Sequence, residues 1–316
     1  MTELRGATIS APVRRPAVAG GFYPSEREAL SDLVAGLLVE VGSAPGSTTG
    51  GGLPIGILVP HAGLSYSGLV AAAGWRRVEA PETPATAAPS PPMLPPTPPP
   101  TVVLLGTNHV AGWLDGVGAW DVGAWRTPLG DVEVDAGLAS AIVDLGKPFV
   151  VDLLAHSGEH SIEVQLPFVQ VVAPAARIVP LAVAAGTGPD AITAGQRLGE
   201  LLAERRRAGD PIVVGISSDM AHYPPAGVCS GATEALLPPI VALDAAGLAR
   251  AEAGLRHAGI HGLACGMCGI EPTVLGLAVL KAMGAHAGTR LAAATSADAG
   301  GPRDRTVGYL AVAFDA

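Results

Sequence analysis

The chain has 316 residues, 49% of them hydrophobic and 15% charged, with a net charge of −9 at neutral pH. That size suits one large α/β domain or two smaller ones, and the acidic balance, with basic runs no longer than "RRR" at Arg205 to Arg207, argues against nucleic-acid binding. The opening "MTELRGATIS" lacks an apolar leader core, and no stretch reaches about 18 uninterrupted apolar residues. Cys229, Cys265 and Cys268 form an odd set unsuited to a disulfide framework, so a cytoplasmic protein with reduced thiols and no membrane segment is expected.

In chain order, "FYPSEREALSDLVAGLL" (22–38) predicts a helix. Ser25 and Glu28 form a capping box, and Leu30, Leu33, Val34, Leu37 and Leu38 share one face. "IGILV" (55–59) and "VVLLG" (102–106) predict core strands on either side of a segment, 81–101, that holds 10 of the 29 prolines. This segment reads as a flexible, polyproline-like insertion within one domain spanning 1–316, its core at about 14–314. "RIVPLAV" (177–183), "PIVVGISS" (211–218) and "VGYLAVAF" (307–314) predict further strands. "AITAGQRLGELLAERRR" (191–207) and "PTVLGLAVLKAMGA" (272–285) repeat apolar residues at three- and four-residue spacing and predict helices. The alternation implies an α/β fold, a central mixed sheet flanked by helices on both faces.

Polar residues gather just past the strands, where open α/β sheets bind ligands. His61 follows "ILVP", Asn108 and His109 follow "VVLLGT", and Ser217, Ser218, Asp219 and His222 follow "IVVGI". A lone histidine in such a place is ordinarily a hydrogen-bonded structural residue. Three at equivalent positions point to a shared site, since converging neutral imidazoles suit a divalent metal.

In "HSGEHSIEVQLPF" (156–168), a helical start would set His156 and His160 one turn apart with Glu163 near the same face, as in a zinc site. Equally, His160 and Glu163 would bond to each other or cap backbone. The pair Cys265 and Cys268 in "ACGMCGIEP" has no second CxxC to complete a four-cysteine zinc site. What remains is one thiolate on a histidine-held metal, or two inert buried cysteines. A serine nucleophile drawn from Ser65, Ser67, Ser217 or Ser218, with His61 or His222 and Asp219, would make a triad, but no G-x-S-x-G elbow is present.

Taken in order, "RRPAVAGGFYP", "ILVPHAGLSYSG", "LLGTNHV", "WRTPLGDVEVD", "HSGEHSIEVQLPF", "ISSDMAHY", "CGIEP" and "VGYLAVAF" resemble the MEMO family, also called AmmeMemoRadiSam system protein B. That family is related in fold to the class III extradiol, LigB-type dioxygenases. The resemblance implies metal ligation by His61, His109 and Cys268, with Glu271 a competitor for the third place. It also implies acid/base roles for Asp219, His222 and His160, and a pocket shaped by Asn108, Glu163, Tyr66 and Ser218.

In the dioxygenase relatives two histidines and a glutamate hold Fe(II). A thiolate in place of that glutamate softens the site toward Cu(I), Zn or thiolate-ligated iron, which puts ring cleavage in doubt. Fe(II) is the first expectation, Cu or Zn the alternatives, and the reaction O2-linked or redox on an unknown small molecule or peptide. The rivals are a non-enzymatic partner-binding module on the same fold and a zinc hydrolase built on His156 and His160. The family's second name implies association with AMMECR-type and radical-SAM proteins.

Overall fold

The computed structural model describes residues 11–42, 53–79 and 99–316. The expected strands form β2 (Gly56–Val59), β3 (Thr101–Thr107), β8 (Arg177–Ala184), β9 (Ile212–Ser217) and β11 (Gly308–Asp315). They join β4 (Gly116–Ala119), β7 (Phe149–Val151) and β10 (Ala287–Thr295) in one eight-stranded sheet ordered β10-β11-β2-β9-β3-β8-β4-β7. The four central strands, β2, β9, β3 and β8, run parallel, so their carboxyl ends meet at one edge of the sheet. Antiparallel β11 and β4 flank them and make the sheet mixed.

The period-two alternation of these strands feeds two cores. Leu58, Val103, Leu105, Val214 and Ile216 face α3 (Ala136–Val143), α5 (Pro189–Arg207), α6 (Ala226–Val241), α7 (Ala245–His257) and α8 (Ile270–Ala282). Ile57, Val59, Val102, Leu104 and Val213 face α1 (Arg27–Gly42), α2 (Leu64–Trp75) and α4 (Leu166–Val172). Each such fully buried aliphatic side chain contributes about 1.5–3 kcal/mol. Helices thus cover both faces, as the alternation of strand and helix signals requires.

Sequence and structure part at two boundaries. Helix α1 starts at Arg27, and the Leu30 N–H already bonds the Glu26 carbonyl, so the cap falls on Glu26 and not on Ser25. Thr101, placed by sequence at the end of the proline-rich insertion, opens β3, while 81–98 lie outside the described residues.

A second sheet, of three strands, pairs β1 (Val13–Arg14) with β5 (Ala124–Thr127), and β5 with β6 (Gly130–Glu133). It carries Arg14 inward. The Arg14 guanidinium lies 4.1 Å over the Trp125 ring and donates to the carbonyls of His156 (2.7 Å) and Glu159 (2.5 Å) and to the Glu163 carboxylate (2.6 Å). The opening of the chain therefore fixes the segment 156–163 that lies across the carboxyl edge of the main sheet.

Candidate metal centre

Because β2 and β3 both flank β9 in parallel, the residues just past their ends, His61 and His109, approach each other, and the 157–162 segment adds His160. Ligand nitrogens of these three histidines lie within 4.8 Å of one another. Their ring centroids are 5.3 Å apart for His61 and His109, 5.4 Å for His61 and His160, and 4.7 Å for His109 and His160. His61 is buried, His160 half-buried and His109 exposed. Gly106 permits this approach: a Cβ there would stand 2.4 Å from Ile162 and 2.7 Å from the Ser161 hydroxyl.

Hydrogen bonding sets the tautomers. The Ser217 hydroxyl donates to the Ser161 carbonyl (2.7 Å) and accepts from Gln165 (2.9 Å). Its remaining lone pair takes the Nδ1–H of His61 at 3.0 Å, which leaves His61 Nε2 as a free base. Glu159 does the same for His109, and its carboxylate lies within ion-pair distance of His160 Nδ1. Its Oε1 lies 3.0 Å from His109 Nδ1 and 3.3 Å from His160 Nδ1, and the carboxylate also accepts the backbone N–H groups of His109, His160 and Ser161 at 2.6, 2.8 and 2.9 Å.

Burial pushes the Glu159 carboxyl up, but the His109 bond and charge and the backbone donors outweigh it and bring it down to about 2. It is therefore ionised at neutral pH. Burial, followed by the neighbouring imidazoles, holds His61 well below the ordinary histidine range, and burial also lowers His160. Three converging imidazoles, two of them tied at Nδ1, fit a transition-metal ion, whose histidine ligands are oriented by such outer hydrogen bonds.

Around this group, Cys268 Sγ lies 3.2 Å from His61 Nε2. It stands close because Gly269 precedes α8, where a Cβ would sit 2.5 Å from Ser218 Cβ. Burial, then the Asp219 charge, raises the Cys268 thiol well above its usual range. Asp219 Oδ1 accepts the N–H groups of His61 (2.7 Å) and Ala62 (3.1 Å), and burial raises its carboxyl. His222 Nε2 lies 4.0 Å from Asp219 Oδ2 and has no hydrogen-bond partner among the described residues; burial lowers its pKa.

The ligand set and the pocket differ from the sequence expectation in particulars. The mutually close group is His61, His109 and His160, so His160, assigned an acid/base part, stands where Cys268 was expected; Cys268 touches His61 beside the group. Of the two candidates for a third ligand, Glu271 turns away and accepts the Gly186 N–H at 3.2 Å. Glu163 does not shape the pocket: its carboxylate takes Arg14, the N–H groups of Ala17 (2.8 Å) and Val18 (3.0 Å), and the Tyr23 hydroxyl.

Asn108 closes a turn by exchanging bonds with Ala111 (2.9 and 2.8 Å), and Ser218 links Asp219 O to Gly269 N; both hold loops that carry site residues. Tyr66 is exposed on the first turn of α2. Sequence reasoning passed over Glu159, although it immediately precedes His160. Gln165 and Arg14 left no local signal, since their partners are far along the chain.

His156, at the end of a 3-10 turn, does not share a helix with His160, so the zinc spacing expected of that pair is not formed. Its ring is buried beside Trp120 and Trp125, donates from Nε2 to the Gly118 carbonyl (2.9 Å), and leaves Nδ1 without a partner among the described residues. Burial, with the Arg14 charge, depresses it to about 4. Below about pH 6.5 the unfolded chain takes up a proton that the fold refuses. Stability of the metal-free protein should therefore fall as pH drops from about 6.5 toward 4, by up to roughly 3 kcal/mol from this group. Urea titrations across that range should give a flatter pH dependence in His156→Gln; an unchanged slope contradicts the assignment.

Fold and site together define an α/β protein with a candidate metal centre of converging histidines at the carboxyl edge of its parallel strands. Within that class, the chain belongs to the Memo-like protein family, whose profile matches residues 14–313. A MEMO1 family protein of Methanopyrus kandleri is 35% identical over 305 residues, 95% of this chain and 98% of its own. One from Aquifex aeolicus is 36% identical over 304 residues, 96% and 99%, and one from Pyrobaculum arsenaticum is 34% identical over 315 residues, again 96% and 99%. No helix among the described residues is long and apolar enough to cross a membrane.

Proposed function

We propose that the protein is a MEMO-family metalloprotein that holds one transition-metal ion, Fe(II) first and Cu or Zn as alternatives, through His61, His109 and His160, with Cys268 as an adjoining soft donor. The observation that carries this reading is the convergence of the three imidazoles, with ligand nitrogens within 4.8 Å of one another and the Nδ1 atoms of His61 and His109 held by Ser217 and Glu159. When bound, iron or copper in such a set supplies redox and Lewis-acid chemistry to an O2-linked reaction on a small molecule or peptide.

The chain's own residues provide the rest. Asp219 holds the backbone of His61 and Ala62 in place. His222 Nε2, buried and without a hydrogen-bond partner among the described residues, is the atom that takes or gives a substrate proton. The Cys268 thiol, neutral without metal, would lose its proton on ligation, so metal uptake should weaken as pH falls. Free Cys265 and Cys268 suit a reducing compartment, the cytoplasm.

Anaerobic loading of the wild type with Fe(II), Cu(I) or Zn(II), followed by elemental analysis, is expected to find one equivalent of at least one metal. The His61→Ala/His109→Ala/His160→Ala variant is expected to find none. Failure of the wild type to retain any of the three overturns the reading. X-ray absorption of wild type against Cys268→Ser tells whether sulfur joins the nitrogens.

A second reading, a binding module without chemistry, draws on the exposed Val110 and Trp113 that directly follow His109. Loaded protein that consumes no O2 with catechols or other reductants, yet captures a peptide through that rim, would favour it.

A further inference from the structure

Past Asp219 the chain leaves the sheet edge through Met220 to Tyr223, and the last residue of that run is under strain. Tyr223 has φ +74°, a left-handed conformation that costs a bulky residue about 1–3 kcal/mol. Its surroundings enforce it: the Tyr223 N–H bonds the Thr306 carbonyl at 2.6 Å, while Thr306 returns its own N–H (2.9 Å) and hydroxyl (2.7 Å) to the Pro224 carbonyl.

A turn alone would be better served by glycine, yet this position carries a ring that is 44% exposed. The ring neighbours two groups. His222 lies at 5.4 Å between centroids, and over the ring lies the Arg305 guanidinium, with Cζ at 4.4 Å. Arg305 forms no ion pair or side-chain hydrogen bond among the described residues, and its neighbours Arg303 and Asp304 are also exposed. In a chain of net charge −9, a guanidinium without a carboxylate partner among the described residues, seated over a strained tyrosine that adjoins His222, has its fork free for an incoming anion.

We propose that Arg305, seated on Tyr223, is the anion anchor of the site: the molecule handled beside the histidine cluster carries an oxyanion group, a carboxylate or a phosphate, at its outer end. This rests on the reading of the cluster as the working centre, and assigns that centre a class of substrate. The cation–π contact restricts the guanidinium before the ligand arrives and so lowers the ordering cost of binding. The strain at Tyr223 fits a residue kept for its ring and not for its backbone. Arg305 is then a specificity-determining residue, and Tyr223 a positioning residue that acts through it.

The test uses the metal-free full chain, so that anions cannot bind a metal ion, with benzoate and inorganic phosphate as separate probes in isothermal titration calorimetry at low ionic strength. The wild type is expected to bind at least one probe saturably, and which of the two binds more tightly tells carboxylate from phosphate. Arg305→Gln should weaken that probe by about tenfold or more, as loss of a charge-assisted bond predicts, and Arg305→Lys should restore part of it.

Tyr223→Gly should raise the thermal midpoint, because glycine relieves the left-handed strain, and yet weaken the anion; a purely structural tyrosine would not separate the two. Absence of saturable binding by the wild type, or unchanged affinity in Arg305→Gln or Tyr223→Gly, overturns the proposal. Because no metal is present, these results are independent of the metal analysis, and the anchor and the metal reading can fail separately.

Discussion

Glu159→Gln is expected to lower metal affinity by about 10- to 100-fold while the chain still folds. The carboxylate accepts from His109 Nδ1 and from three backbone N–H groups, and lies 3.3 Å from His160 Nδ1. An amide keeps one acceptor oxygen but turns an NH2 toward groups that are themselves donors. One imidazole then rotates or changes tautomer, and its Nε2 lone pair is lost to the metal.

Glu159→Ala removes every acceptor at once in a fully buried position, and should cost about 3–5 kcal/mol of stability as well. Competition against a chromogenic chelator, in parallel with urea unfolding, separates the two effects. If Glu159→Gln binds metal as the wild type does, the carboxylate does not orient the cluster and the assignment of tautomers fails.

The difference between what the sequence discloses and what it hides falls inside this same region. The strands on which His61 and His109 stand are legible because a run such as "VVLLGT" is buried on both faces and has few other solutions. A histidine one or two residues beyond a parallel strand then has its place fixed by the strand, and the convergence of His61 with His109 follows from β2 and β3 both flanking β9. The segment "HSGEHSIEVQ" is different. Spacing reasoning supposes a regular element, and the chain there is two 3-10 turns, Leu154–His156 and Glu163–Gln165, separated by irregular backbone.

Its course is set by Arg14, some 145 positions earlier, whose guanidinium holds the carbonyls of His156 and Glu159. No local pattern carries that information, so which carboxylate turns to the histidines and which turns away could not be read from "EHSIE". Cys268 is an intermediate case. The sequence brings it to the site, but whether it or His160 completes the three-ligand group depends on a 3.2 Å contact with one ring and on the reach of a loop.

Glu163→Ala should cost about 3–5 kcal/mol of stability, with the metal content of the surviving folded protein unchanged. The Arg14 and Glu163 side chains are 2% and 0% exposed, and removal of the carboxylate leaves a guanidinium charge buried without its partner. The Tyr23 hydroxyl and the N–H groups of Ala17 and Val18 lose their acceptor in the same step.

In Arg14→Met/Glu163→Met the charge and its partner go together. That double variant should be less destabilised than the sum of its single changes, because no lone buried ion remains. Thermal unfolding of the four proteins in the cycle measures the coupling. Additive losses would mean that the pair is not electrostatically linked. Loss of metal from folded Glu163→Ala would mean that this carboxylate, and not Glu159 alone, governs the histidines. Otherwise the two glutamates of one five-residue motif divide the work: Glu159 orients the ligands, and Glu163 with Arg14 holds the segment on which His160 and Glu159 are presented.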